Sequence, residues 1–313
     1  MKQREIVFYS EGARMVGTIY LPEDYKEGEK RPGVIVNSGW TGLNVVYPAM
    51  FARALTKKGY VCMGFDYRGF KPSGGTPKYT TMETEVEDIS NALAFFELQP
   101  EVDSERIALL GWGIGGAVCV EVTGRENVIK QRVKAVATLN GFVDGMRWMR
   151  MGLGNDKYHK LVKMLEEDRA TRVTTGDPVL RHPYVTYPNI DESGDFYVDE
   201  TLKKLNGGLT DIANDLNDGE EFPTPMSTAI GESYLRFNVS NRLKNIAPAA
   251  VFVGHGRYNE LHDKVEAEEA YELANGPKAL YFVEGKHNEW MFDEDPKLIE
   301  LMNAIADFFA KHV

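Results

Sequence analysis

The segment Arg106 to Gly116 reads as a β run that enters a glycine-rich turn and then passes directly into a helix from about Ile114. A turn of that kind projects the residue at its apex clear of the backbone, and small neighbours let the chain pack closely around it. In Gly111-Trp112-Gly113-Ile114-Gly115-Gly116 the apex is Gly113, which carries no nucleophilic group. Covalent acyl-enzyme chemistry is therefore impossible at that position. Backbone N–H groups at such a turn persist whatever the side chains are, and they can receive a developing negative oxygen. His287 follows the last β run, a place from which an imidazole can reach the turn and act as a general base. Among the other histidines, His255 belongs to a His-Gly turn and reads as structural. His159, His182, His262 and His312 have no supporting context, although His159 and His182 could face a cleft.

The elements needed to position these groups follow from the hydrophobic pattern. Glu5 to Ser10 and Met15 to Leu21 predict a β-hairpin at a sheet edge. Gly33 to Asn37, Tyr60 to Asp66, Arg106 to Leu110, Val133 to Leu139, Ala249 to Val253 and Ala279 to Val283 are short apolar runs typical of strands covered on both faces. Between them, Tyr47 to Lys58, Met82 to Glu97, the segment from Ile114 and Pro296 to Ala310 have helical spacing. This alternation predicts an α/β fold with a mainly parallel, doubly wound sheet. It is interrupted over 142–245, which predicts a lid or cap inserted into a core made of 1–141 and 246–313. The insertion contains an amphipathic helix near Lys157 to Arg169, while the acidic stretch Asp215 to Glu221 reads as a solvated loop face.

Composition narrows the partners. The 313 residues are 43% hydrophobic with a net charge of −11, which disfavours nucleic acid and anionic membrane as partners. No apolar run approaches the roughly 18 residues of a membrane span, and Met1 to Glu5 lead straight into a strand, so the expectation is a cytoplasmic protein. Cys62 and Cys119 lie in apolar surroundings without redox or metal spacing and are expected to be buried free thiols. The histidines lack metal-ligand spacing, and the glycines of the turn lack the acidic residue of a dinucleotide fingerprint. No metal and no cofactor are expected.

The chain resembles the α/β-hydrolase superfamily, in its dienelactone-hydrolase-like and prolyl-peptidase-like branch with long-lidded acyl hydrolases and polyketide acyl transferases. The resemblance rests on Asn37-Ser38-Gly39-Trp40-Thr41-Gly42, Phe65-Asp66-Tyr67-Arg68-Gly69-Phe70, the glycine turn, His255-Gly256-Arg257-Tyr258-Asn259 and Gly285-Lys286-His287-Asn288. It covers about 30–140 and 246–312 and is weak over the lid. It implies Gly113 at the nucleophile position, His287 as base and Asn259 at the acid position, with oxyanion donors on the backbone of Trp40 and Ile114. An amide at 259 can orient the histidine ring but cannot stabilise an imidazolium as a carboxylate does. Glu260, Asp263 and Asp144 are the alternatives for a displaced acid.

Three accounts accommodate the glycine. The chain is a hydrolase or acyl transferase with its nucleophile lost or replaced, acting on an ester, thioester or other acyl substrate. Alternatively, it is a general-base lyase, cyclase or dehydratase using His287 and the backbone donors, or it is a non-catalytic small-molecule binder. Trp112, Arg147, Trp148 and Trp290 are candidate substrate-binding residues. Met146 to Met151 would line an apolar cleft and offer a cation through Arg147 or Arg150, or else form an amphipathic helix with its arginines in water. Trp40, Tyr184, Tyr187, Tyr197, Tyr234 and Trp290 suggest a large apolar pocket for a substrate of moderate size. A homodimer is left open by the resemblance.

Overall fold

The computed structural model describes residues 1–40, 42–181, 183–186 and 225–313. His182, Tyr187, Tyr197, the side chain of Tyr184 and the stretch Asp215 to Glu221 lie outside the described residues.

The hairpin pairs β1 (Lys2–Ser10) with β2 (Ala13–Leu21). Glu11 and Gly12 turn it with φ of 47° and 82°, the mirror-image turn that matches strand twist. The remaining sheet strands are β3 (Arg31–Asn37), β4 (Val61–Phe65), β5 (Val102–Trp112), β6 (Val133–Leu139), β9 (Ala250–Gly256) and β10 (Lys278–Val283). They lie in the order β1-β2-β4-β3-β5-β6-β9-β10, antiparallel through β4 and parallel from there to β10. β7 (Leu180–Arg181) and β8 (Met226–Ser227) form a separate two-stranded ladder.

Alternation along the buried strands divides the core into two layers. Val34 and Val36, with Ala108 and Leu110, face α1 (Pro48–Thr56) and α8 (Pro296–His312). Ile35, Leu109 and Val136 face α2 (Met82–Glu97) and α3 (Ile114–Glu126). Thr81 opens α2 with a reciprocal capping box, which fixes its start at Met82. Cys62 and Cys119 are buried free thiols within these layers.

Three elements differ from the sequence pattern. β5 is longer than its apolar run, because buried Val102 and the more exposed Asp103 to Arg106 join it through an irregular register before the buried stretch from Ile107. The helix expected near Lys157 to Arg169 extends over α4 (Gly145–Thr175), capped by Asp144 and ended by Gly176 at φ 82°. Gly154, at φ 70° and ψ 167°, kinks it, so no single periodic stripe runs its length. Further on, α5 (Ala229–Arg236) and α6 (Ser240–Lys244) lead back to β9. α7 (Lys264–Leu273) was not legible, since it buries only Glu266, Ala267 and Ala270.

Glu266 ties α7 to the start of α4. Its buried carboxylate accepts the Val143 and Asp144 N–H groups at 2.7 and 3.3 Å and Arg147 Nε at 2.7 Å. α5 is joined to the start of α2 by the Met82 N–H, which donates to Ser233 Oγ at 3.0 Å.

At the β5–α3 turn the backbones are in contact. A Cβ on Gly115 would lie 1.9 Å from Ser38 O, and one on Gly39 would lie 2.7 Å from Trp112 O. The loop after β3 is thereby packed directly on the turn that opens α3. Gly115→Ala is expected to lower stability by about 3 kcal/mol, because the clash is with backbone rather than a yielding side chain. An unchanged denaturant midpoint would show that the two segments do not meet this closely.

Candidate active site

Gly113 sits between β5 and α3 with φ 54° and ψ −125°, a left-handed conformation costly for any residue with a Cβ. Its own N–H is tied down by Leu139 O at 2.8 Å, and its carbonyl accepts the Gly116 N–H at 3.0 Å. A Cβ built on Gly113 would meet nothing within 4 Å, unlike those of Gly111, Gly115 and Gly116. The apex therefore points into open space while its flanks are sealed. Ile114 is the first residue of α3, and the first-turn N–H groups of a helix have no acceptor within it. Trp40 is half-buried in the adjoining loop, where the Gly42 N–H donates to Gly39 O at 3.1 Å and the Tyr67 hydroxyl to Ser38 O at 3.2 Å.

His287 lies beside this turn, its ring 5.2 Å from that of Trp112 at an interplanar angle of 60°. It is 3% exposed. Its Nδ1 meets Asn259 Oδ1 at 3.1 Å. The same Asn259 oxygen accepts the backbone N–H groups of Leu261 and His262 at 3.0 and 2.9 Å. Two donors with no alternative role identify that atom as oxygen, so His287 Nδ1 must donate to it. The neutral imidazole then carries its lone pair on Nε2, the state a general base requires. Burial, and secondarily the neighbouring His255, pull the His287 pKa down to about 3. With an amide rather than a carboxylate as partner, no negative charge offsets that burial.

The carboxylates considered as displaced acids are engaged elsewhere. Glu260 accepts the backbone N–H of His287 at 3.2 Å rather than meeting its ring. Asp263 caps α7, accepting Val265 N–H at 2.9 Å. Asp144 caps α4 and accepts Asn238 Nδ2 at 3.0 Å.

The three tryptophans expected beside a substrate are packed in the interior, with Trp112 and Trp148 each 2% exposed and Trp290 fully buried. Trp290 donates to Lys286 O at 2.8 Å and stacks edge-on against Trp112, so both stand behind the base. Trp148 donates to Leu261 O at 2.8 Å and thus braces the loop carrying Asn259. Arg147 is paired with Glu266 and Glu269, and Arg150 donates to Asn155 Oδ1 at 2.8 Å. Met146 and Met151 are exposed, so the segment takes the form of an amphipathic helix packed on the core. Tyr234 is fully buried against Trp148.

Two residues of the site escaped the sequence. Asn140, at φ 50°, donates from Nδ2 to His287 O at 3.1 Å and accepts the Gly256 N–H at 2.8 Å, joining the base loop to β9. Its signal was the Asn-Gly pair after a buried strand, which favours a left-handed turn. His262 is fully buried and lies face to face with His287. Nothing in its local sequence marks it, since the contact crosses from one loop to another. A small cavity of about 120 Å³ borders Asn259, lined also by Trp148, Met151, Glu260 and Leu261. Among the described residues no group of three or more potential ligands could hold a metal ion. Nor is any described helix long and apolar enough to cross a membrane.

Comparison with known proteins agrees with this architecture. A family model described as the alpha/beta hydrolase fold matches residues 32–162. An uncharacterized protein of Pseudomonas aeruginosa, PA2218, is 24% identical over an alignment covering 100% of this chain and 81% of its own. Its crystal structure superposes with a TM-score of 0.77 at 22% identity, covering 100% of this chain and 94% of the other. The polyketide transferase grgF of a Penicillium species is 22% identical, with 92% of this chain and 91% of that protein covered. The GrgF crystal structure gives a TM-score of 0.76 at 18% identity over 100% and 99% of the two chains. The structure of DcsB in complex with its substrate analogue gives 0.78 at 16% identity, with both chains covered in full. The matching family model, the sheet order and the strand–turn–helix at Gly113 together show that this chain has the α/β-hydrolase fold.

Proposed function

We propose that the protein acts on an acyl or carbonyl compound without forming a covalent acyl-enzyme, using His287 directly as general base. The observation that carries the reading is the hydrogen bond from His287 Nδ1 to an Asn259 oxygen already fixed by two backbone donors, beside a turn whose apex opens into free space. A substrate carbonyl oxygen would lie against the N–H groups of Ile114 and Trp40, which polarise it and take up negative charge as it develops. In a hydrolytic cycle Nε2 removes a proton from water, the water oxygen bonds to the carbonyl carbon, and the imidazolium returns the proton to the leaving group. Water and the acyl compound give a carboxylic acid and the protonated leaving group. Proton removal from the substrate itself would serve a lyase, cyclase or dehydratase with the same two parts. Segment 142–245 acts as a lid in this reading and excludes bulk water from the buried base. The polyketide transferase among the relatives supports an acyl substrate of moderate size. No cofactor enters the scheme.

A second reading, an acyl hydrolase frame with a silenced nucleophile that now only binds its ligand, is favoured by the empty space where a side chain at 113 would project. Substitution separates the two. Gly113→Ser is expected to confer a stoichiometric burst of nitrophenol from p-nitrophenyl esters, absent from the unaltered protein, because only the serine can be acylated. Failure to gain a burst, even with Asn259→Asp added, argues that the elbow does not present position 113 to an acyl group.

The direct-base reading predicts slow hydrolysis of activated esters or thioesters by the unaltered protein, reduced about 10²-fold or more in His287→Ala. An unchanged rate would reject it. Because burial lowers the His287 pKa to about 3, the competent neutral base is present above that value and lost only as pH falls through it. The rate should therefore stay level between about pH 8 and pH 5, whereas a fall centred near 6.5, the ordinary histidine value, would contradict the burial account.

A further inference from the structure

His287 does not stand alone. Its ring is stacked on that of His262, with centroids 5.1 Å apart and planes 16° from parallel. His262 is also stacked on Trp148, with centroids 4.7 Å apart at 25°, and Phe142 lies 4.7 Å from Trp148 at 8° and 6.3 Å from His262 at 29°. The edge of Trp112 closes the site at 5.2 Å from His287. His262 is itself held on both sides of its Cα: its N–H donates to Asn259 Oδ1 at 2.9 Å, and its carbonyl meets His255 Nε2 at 2.9 Å. A carbonyl can only accept, so His255 donates from Nε2 there.

We propose that His262 is a positioning residue for His287: its imidazole, pressed between the base and Trp148, holds the base ring in the plane that the Asn259 hydrogen bond requires. The inference rests on His287 being the base. One hydrogen bond through Nδ1 leaves an imidazole free to swing about that bond, so aiming Nε2 needs a second restraint on the ring. A carboxylate partner supplies an additional electrostatic restraint that the Asn259 amide lacks. The flat face of His262 supplies the second restraint by packing, and the same residue fixes the Asn259 oxygen through its backbone N–H, coupling orienter and ring support in one residue. The titratable groups facing His287 are His262 on its ring face, His255 behind the loop and Glu260 on its backbone N–H. Burial drives the His262 pKa well below the ordinary value, with His287 and His255 adding to that effect, so the supporting ring is neutral and does not repel a proton on the base.

The test needs no substrate. Side-chain nitrogen spectra of the full chain at neutral pH, with His287 assigned by its missing signals in His287→Ala, should show one tautomer protonated at Nδ1. Ring-proton Overhauser contacts between His262 and His287 should be present. His262→Phe keeps a flat face and should retain the single tautomer, whereas His262→Leu, of similar bulk but without that face, should lose it and show a second tautomer or broadened ring signals. Absence of the Overhauser contacts in the unaltered protein overturns the proposal without any variant. So does an unchanged His287 spectrum in folded His262→Leu, or loss of the single tautomer in folded His262→Phe. A rate indifferent to His287→Ala, with these spectra as expected, would instead refute the catalytic reading and leave the stacking role standing.

Discussion

The site depends on one oxygen. Asn259 Oδ1 accepts two backbone N–H groups from its own loop and the Nδ1–H of His287, at 2.9 to 3.1 Å. The backbone donors fix the amide orientation, the amide fixes the tautomer, and the tautomer leaves the reactive lone pair on Nε2. An aspartate here would do the same and add charge. With asparagine the geometry survives but charge compensation does not, which is why burial holds His287 neutral. In the proposed scheme such an imidazole would accept a proton only transiently, in step with bond formation at the substrate.

Around that oxygen the rest of the fold acts as bracing. Trp148 reaches from α4 to the Leu261 carbonyl, His255 reaches from β9 to the His262 carbonyl, and Asn140 ties the His287 carbonyl to β9 through Gly256. The Tyr47 hydroxyl at the start of α1 donates to Asn288 Oδ1 at 3.1 Å, linking the helix after the Trp40 loop to the His287 loop. These links run to α4, β9 and α1, so the loops of the site are held from several directions although none is itself regular structure. The elbow is held by backbone contact instead. Gly115 leaves no room for a methyl group between α3 and Ser38, whereas Gly113 leaves ample room, and the two glycines serve opposite purposes.

Much of this was legible in the sequence because the signals are local. Buried parallel strands announce themselves as apolar runs, the spacing over Met82 to Glu97 marks α2, and the glycines around Trp112 mark the turn before α3. His287 could be named from its place after β10, and Asn259 from the family resemblance. What stayed hidden depends on contacts between distant loops. His262 meets His287 across 25 residues of chain, and Asn140 meets it across 147. Arg147 shows the same limit from the other side: its neighbours suggested either a ligand site or an amphipathic helix, while its partner Glu266 lies on α7, a helix with little apolar stripe. Trp112, Trp148 and Trp290 are buried, Trp112 against the His287 ring and Trp148 against His262.

The central claim is that the His287 lone pair and the N–H groups of Ile114 and Trp40 converge on the space above Gly113. A crystal structure with a trifluoromethyl ketone tests it, since the hydrated ketone mimics the tetrahedral adduct of water and needs no serine to form. The account predicts one oxygen of the hydrate on the two amides and the other within hydrogen-bond reach of His287 Nε2, with Nδ1 still on Asn259. A hydrate bound away from Gly113, or a His287 ring turned so that Nε2 faces the protein interior, would contradict it.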